Sequence, residues 1–295
     1  PDAVRVREFL AASTPYPLLG SAWDSLPLFR LDLSVGSDLF GAGDVTAEPE
    51  RFDRLIRRDV APDAIGVGGY GEARLLYTTP EFAPADAADE ARTVHLGTDV
   101  WTEAGTPLHA PHAARVHRVH DNAARLDYGP VVVLEHATDD GVVFYSLYGH
   151  LAPETLEHVR EGQELAAGEV FGWIGPPPRN GDWAPHAHVQ VILDLLGLDV
   201  DYPGVAKPSQ RTTCEVLDPV TVAGSGLLQI RQMAALIAHL RPSTEVDHLR
   251  GRRGPGSAGP GAAGANTGPS ERSDEGVHGG AVYRRKRPPV IPAVG

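Results

Sequence analysis

A single cysteine in 295 residues, Cys214, leaves no intramolecular disulfide to be made and no thiolate cluster for a zinc knuckle. Any metal held by this chain is therefore held by nitrogen and oxygen. Basic residues are outnumbered, 26 Lys and Arg against 39 Asp and Glu, for a formal charge of -13. That balance argues against a nucleic-acid or anionic-membrane binder, because neutralising phosphates needs clustered Lys and Arg. No apolar run approaches the ~18 residues of a membrane span, and the opening PDAVRVREFL lacks the apolar stretch of a secretory signal. The chain opens on Pro1 and not Met, as a fragment would, so a missing address leaves location open. What is abundant is histidine: ten of thirteen fall between His95 and His188, which is where chemistry is to be sought.

With 42% hydrophobic residues the chain can bury a core, and its length suits about two domains of roughly 150 residues. Residues 1–90 read as a mixed α/β N-terminal extension. PLFRLDLSV alternates like a strand, and RFDRLIRRD carries Phe52, Leu55 and Ile56 at helical spacing. Over residues 91–200 short β-branched runs separated by Gly, Asp and Pro predict a mainly β fold: a compact antiparallel β-sheet core with short helices. Residues 130–136 and 141–148 are expected to pair as a hairpin, since the intervening turn ends in Asp140-Gly141. Runs at 169–174 and 186–193 complete four strands, with a short helix at 153–160. Residues 201–250 form a C-terminal extension with one amphipathic helix through Leu227, Leu228, Met233, Leu236, Ile237 and Leu240. From residue 251 to 295, 17 of 45 residues are Gly or Pro, the composition of a disordered tail, and Arg284 to Arg287 read as a solvated charge run.

Three short patterns carry chemistry. In PHAHVQVI, His186 and His188 lie two apart on a strand, so both imidazoles share a face while Ala187, Val189 and Val191 take the other. Such a pair is a ligand set, a ligand plus a base, or a half-exposed polar strand face, and a chance H-x-H is common in a chain this rich in His. His95 and Asp99 in HLGTD would stand ~13 Å apart on a straight strand, too far to share one ion at ~2 Å. The backbone must bend, and Gly97 permits it. His150, in YGHL, ends a strand beside Gly149, where it can reach into a cleft or face solvent.

Taken in order, H-x-G-x-D, then Y-G-H-L after a hairpin, then a Gly-rich turn and a P-H-x-H strand resemble peptidase family M23, the lysostaphin-type zinc endopeptidases, over about residues 92–192. The resemblance implies a zinc metalloendopeptidase cleaving a peptide or related amide, with Zn2+ ligated by His95, Asp99 and His188. It implies further that His150 and His186 stand beside the metal as catalytic histidines. Three protein ligands leave a tetrahedral position for water, as a catalytic zinc requires. No H-E-x-x-H supplies a glutamate base, so an unligated histidine takes the proton. His186 is assigned the base and His150 the oxyanion or the leaving amine, roles that sequence leaves interchangeable. Against the family pattern, the loop before His186 is GPPPRNGDWAP and Ala187 replaces a leucine, so the groove rim should differ and peptidoglycan cross-bridges are in doubt as substrate.

Segments including GVGGYGEARLLYTT, HLGTDVWTEAGTPLHAP and LDLLGLDVDYPGVAKPSQR also look like the M23-type module found between kinase and class III aminotransferase domains in fused proteins. That likeness spans roughly residues 28–219. It implies kinase and aminotransferase domains as fusion partners and leans toward a cytoplasmic location; the charge balance leaves no nucleic acid and no membrane expected as partner. The competing reading is a non-catalytic binding or scaffold module.

Four features are assigned no chemistry. Gly66 to Gly71 match G-x-G-x-x-G, but the preceding residues 61–65 are a poor strand, so a glycine-rich turn is expected. His109, His112, His117 and His120 suit a strand with exposed histidines, with His109 placed at an outer cleft. Glu135 and His136 are expected to face solvent. Cys214 has no neighbours that would activate it.

Overall fold

The Thr138-Asp139-Asp140-Gly141 turn forms as its residues require. Gly141 N–H donates to the Thr138 carbonyl at 2.9 Å, and Gly141 takes a φ of 83°, where a β-carbon is disfavoured. It joins β7 (Gly129–Ala137) to β8 (Val143–Gly149), paired from Val132↔Tyr148 to Ala137↔Val143. The chain is described here from a computed structural model that covers residues 2–37, 52, 64–84, 86 and 88–211, without the side chains of 23 and 24.

The mainly β fold expected from the sequence is present. An eight-stranded sheet runs β1 (Leu28–Leu31), β2 (Ile65–Gly68), β4 (Thr98–Trp101), β11 (His186–Ile192), β8, β7, β6 (Ala114–Asn122) and β9 (Glu164–Leu165). Every neighbouring pair is antiparallel except β1 and β2. Two small sheets flank it: β5 (Pro107–His109) with β10 (Val170–Trp173), and β3 (Val94–His95) with β12 (Val205–Ala206). The run at 169–174 thus pairs outside the sheet that holds the hairpin. Its register slips between Val170 and Gly172, and Gly172 lies where a β-carbon would meet Thr155 of α2 (Thr155–His158). The short helix expected at 153–160 is this α2.

The sheet is covered on both faces, and every residue of β4 and β11 is buried. One face packs Val67, Val100, Val132, Leu134, Tyr148, Ala187 and Val189 into the largest apolar cluster. At its edge α1 (Asp2–Ala12) buries Val6 and Leu10, one helical turn apart, against Val142, Phe144 and Val191. On the other face lie the side chains of Asp99, Trp101, His186, His188 and Gln190, all buried. Among the described residues no helix is long and apolar enough to cross a membrane. Of the helical run at 52–56 only Phe52 is described, as buried. Cys214, the helix expected at 227–240, the Gly/Pro-rich tail and Arg284 to Arg287 lie outside the described residues.

Candidate metal centre

Register on the central strands brings distant residues together. β11 pairs with β4 so that His188 stands opposite Asp99 and His186 opposite Trp101, and side chains directly opposite share a face. His95 arrives from β3, a separate strand held by β12. Leu96 and Gly97 make the crossing from β3 to β4, and Gly97 is needed there for a second reason. A β-carbon at that position would collide with the His188 imidazole, so the backbone passes flush against the ring. The sequence shows the glycine as a bend; the structure shows it as a close approach.

Three atoms converge. His95 Nε2 lies 3.0 Å from His188 Nδ1 and 3.1 Å from Asp99 Oδ1, and His188 Nδ1 lies 3.2 Å from Asp99 Oδ1. Each ring spends its other nitrogen on an oxygen. His95 Nδ1 is 3.0 Å from the Gly69 carbonyl, which can only accept, so Nδ1 carries the hydrogen and Nε2 is a bare lone pair. His188 Nε2 is 2.9 Å from Gln190 Oε1, whose amide nitrogen donates to the Pro203 carbonyl. The hydrogen there again leaves the inward atom, Nδ1, bare. Two lone pairs and a carboxylate oxygen facing one another repel unless a cation sits among them. Tetrahedral zinc at ~2.0–2.1 Å from each would set its donors about 3.3 Å apart, close to the triangle observed. The donor set, two imidazoles and one carboxylate with second nitrogens anchored, fits the ion.

The charges around this triangle suit it. Burial and the neighbouring Arg74 guanidinium push His95 down to about 3, so the ring is neutral. Burial works to raise Asp99, but the Arg74 guanidinium bonded to it holds its carboxyl well below the usual range, so it is ionised. Arg74, fully buried, hydrogen-bonds Asp99 Oδ2 through Nη1 and pairs with Glu72 at 3.0 Å.

His186 and His150 stand beside the triangle. His186 Nε2 is 3.8 Å from Asp99 Oδ1, its Nδ1–H donates to the Ala184 carbonyl at 2.7 Å, and its ring stacks on Trp101 with centroids 3.8 Å apart. His150 directly follows β8 at a φ of 63°, rare for a residue with a side chain. Its Nδ1–H donates to the Asn180 carbonyl at 2.9 Å, and its ring centroid is 4.5 Å from that of His186. Burial takes His186 down to about 4 and His150 well below its ordinary value. Both are therefore neutral and present a bare Nε2. Tyr77 lies beside His95 and Trp183 beside His150, so an apolar cluster that includes Phe52, Phe82 and Leu126 surrounds the histidines.

Residues 93–199 match the family model described as Peptidase family M23. His95, Asp99, His150, His186 and His188 fall inside that segment. No curated protein matches the sequence. Among solved structures, a zinc-containing peptidase from Vibrio cholerae is 26% identical, with 38% of this chain and 31% of that one covered and a TM-score of 0.27. The catalytic domain of the antimicrobial peptidase lysostaphin from Staphylococcus simulans is 21% identical over 43% of this chain and 83% of that one, at a TM-score of 0.29. Csd3 of Helicobacter pylori is 20% identical over 53% of this chain and 38% of that one, at 0.24. The chain spans about a third of the length of the Vibrio protein it resembles.

Other expectations fare differently. Residues 65–68 of the glycine-rich stretch form a buried strand, with the turn following at Tyr70 and Gly71. Leu31 and Trp101 leave no room for a β-carbon at Gly66, and Arg74 leaves none at Gly68, while Gly69 supplies the carbonyl that orients His95. His136 is buried, not solvent-facing: its Nε2 is 2.7 Å from Ser146 Oγ, and its ring stacks on Phe144 under α1. His109 packs on Tyr16 and bonds the Gly168 carbonyl. His117 lies part-buried between Glu135 and Asp199, and His120 is exposed. Arg74, Gln190 and Tyr128, whose Oη is 3.0 Å from Gln190 Oε1, belong to the site's surroundings and carry no sequence pattern that announces them.

Proposed function

We propose that this chain is a zinc-dependent metallohydrolase of the M23 type that cleaves a peptide or related amide bond. The observation that carries the reading is the triangle of bare donor atoms from His95, Asp99 and His188, 3.0 to 3.2 Å on a side, inside the segment that matches the family. These three residues would hold the ion. Zinc, when bound, polarises a substrate carbonyl and makes water acidic enough to attack at neutral pH.

The rest falls to the chain's own groups. His186 Nε2, a bare acceptor beside Asp99, takes the proton from the attacking water. His150 Nε2 is also bare, because its other nitrogen is committed to Asn180, so it cannot donate until it has first received a proton. That favours, as its part, handing on to the leaving amine the proton that the adjacent His186 took from water, over direct stabilisation of the oxyanion. Trp183 and the aromatic cluster exclude water from these rings, and a substrate reaches them only when part of that cluster moves aside. The segment likeness noted above supports kinase and aminotransferase domains as neighbours in a longer protein.

Two measurements test the proposal together. Purified chain is expected to bind about one zinc, lost in His95→Ala and His188→Ala and kept in His150→Ala. The zinc-loaded chain is expected to cleave at least one member of a panel of glycine-rich peptides and peptidoglycan fragments, with cleavage lost in His186→Ala. Zinc bound with no turnover across the panel points to the scaffold reading; no zinc at all removes the site.

A further inference from the structure

Arg74 is a buried arginine upstream of the segment that matches the family, and every donor it has is aimed at the site's supports. Nη1 binds Asp99 Oδ2 and faces Tyr77 Oη at 3.4 Å; Nε binds Glu72 Oε2 at 3.0 Å, and Nη2 the Gly69 carbonyl at 3.2 Å. The same Gly69 carbonyl accepts the Nδ1–H of His95. A β-carbon at Gly68 would stand 2.9 Å from Arg74 Nη2, so the strand is bare where the guanidinium crosses it. Burying an arginine is costly unless it is fully paired, and here the pairing is complete. The pairing divides Asp99 in two: Oδ2 is committed to Arg74, and only Oδ1 faces His95 and His188.

We propose that Arg74 is a positioning residue for the metal: by holding Asp99 Oδ2 and the Gly69 carbonyl it confines Asp99 to one-oxygen ligation and fixes the ring of His95. The proposal rests on the zinc reading of the triangle above. A carboxylate freed from Arg74 can rotate to offer both oxygens, which raises the coordination number and moves the site away from four-coordinate zinc toward ions that accept more oxygen ligands. Lysine cannot replace the guanidinium here, since one ammonium on a flexible stem does not reach Asp99, Glu72 and the Gly69 carbonyl in one fixed fork. Glu72 acts one step further out, as the anchor that keeps the fork in place.

The experiment uses the full chain and three proteins: wild type, Arg74→Met and Arg74→Lys, with His188→Ala as the control for the site. Circular dichroism and thermal melts establish that each is folded. Zinc affinity is measured by competition with a chromophoric chelator, and the Co(II)-substituted forms are compared by visible absorption, which is strong for four-coordinate and weak for higher-coordinate cobalt. Arg74→Met is expected to bind zinc about 10- to 100-fold more weakly, with weaker cobalt absorption. Arg74→Lys is expected to fall between it and wild type. Folded variants that match wild type in both readouts overturn the positioning role and leave the zinc site standing. Wild type that binds no zinc removes the site and this role with it. If neither variant folds, Arg74 is a stability residue and the proposal is equally overturned.

Discussion

The two faces of β11 are equally buried and are held by opposite physics. Ala187 and Val189 pack in an apolar cluster with Val67, Val100, Val132, Leu134 and Tyr148, where only volume and shape matter. His186, His188 and Gln190, one residue out of phase, sit in a polar network whose members are oriented by named acceptors: the Ala184 carbonyl, Gln190 Oε1 and the Pro203 carbonyl. The first face tolerates a change at a cost in stability. The second loses its arrangement when any member is removed, because a half-satisfied buried network is worse than none. The fold is thus anchored from one side so that strained and polar groups can be held on the other.

The largest expected contrast comes from His188 and Leu134. His188→Ala should abolish stoichiometric zinc binding, read by metal analysis of the dialysed protein, while Leu134→Ala leaves it at wild-type level. Leu134 is fully buried in the apolar cluster, and its truncation should cost roughly 2–5 kcal/mol in denaturant unfolding. If Leu134→Ala loses zinc as completely as His188→Ala does, the two faces are not separable in this way.

A third test uses acid and the metal-free chain. Burial pushes His136 down to about 4 from the ordinary 6.5, so the folded state keeps the ring neutral while the unfolded chain takes up a proton below pH 6.5. Its contribution is whole above pH 6.5 and is lost as pH falls toward 4, at most about 3 kcal/mol. The stability gap between wild type and His136→Gln should therefore close over that window. A gap that stays constant with pH would place the ring's proton elsewhere. Gly97→Ala should act on the polar face alone. The added methyl displaces the His188 ring, and zinc affinity is expected to fall about 10- to 100-fold with the fold retained. The smallest effect belongs to the exposed pair Arg115 and Glu135, where Arg115→Gln should alter neither the unfolding midpoint nor zinc affinity measurably.

What could be read from the sequence followed from local chemistry. The hairpin of β7 and β8 was legible because Asp140-Gly141 dictates a turn and the flanking β-branched runs dictate strands. His95, Asp99, His150, His186 and His188 were legible because each sits in a short pattern, and the structure brings all five to one place. Arg74 was not: a buried arginine has no local signature, and its partner Asp99 is remote in sequence. His136 was misread because a histidine at a strand end gives no hint that Ala113, Ser146 and Phe144 close around it. Gly66 and Gly68 were misread for a related reason, since what lies against them, Leu31, Trp101 and Arg74, comes from outside the strand. Burial by distant segments is a property of the whole fold, and composition and spacing do not encode it in any one window.

The most direct measurement is an anomalous-difference map, recorded at the zinc edge, from crystals of the zinc-loaded chain. The account predicts one strong peak ~2 Å from His95 Nε2, Asp99 Oδ1 and His188 Nδ1, with Asp99 Oδ2 still on Arg74. A map with no peak there, or with its zinc on other residues, contradicts it.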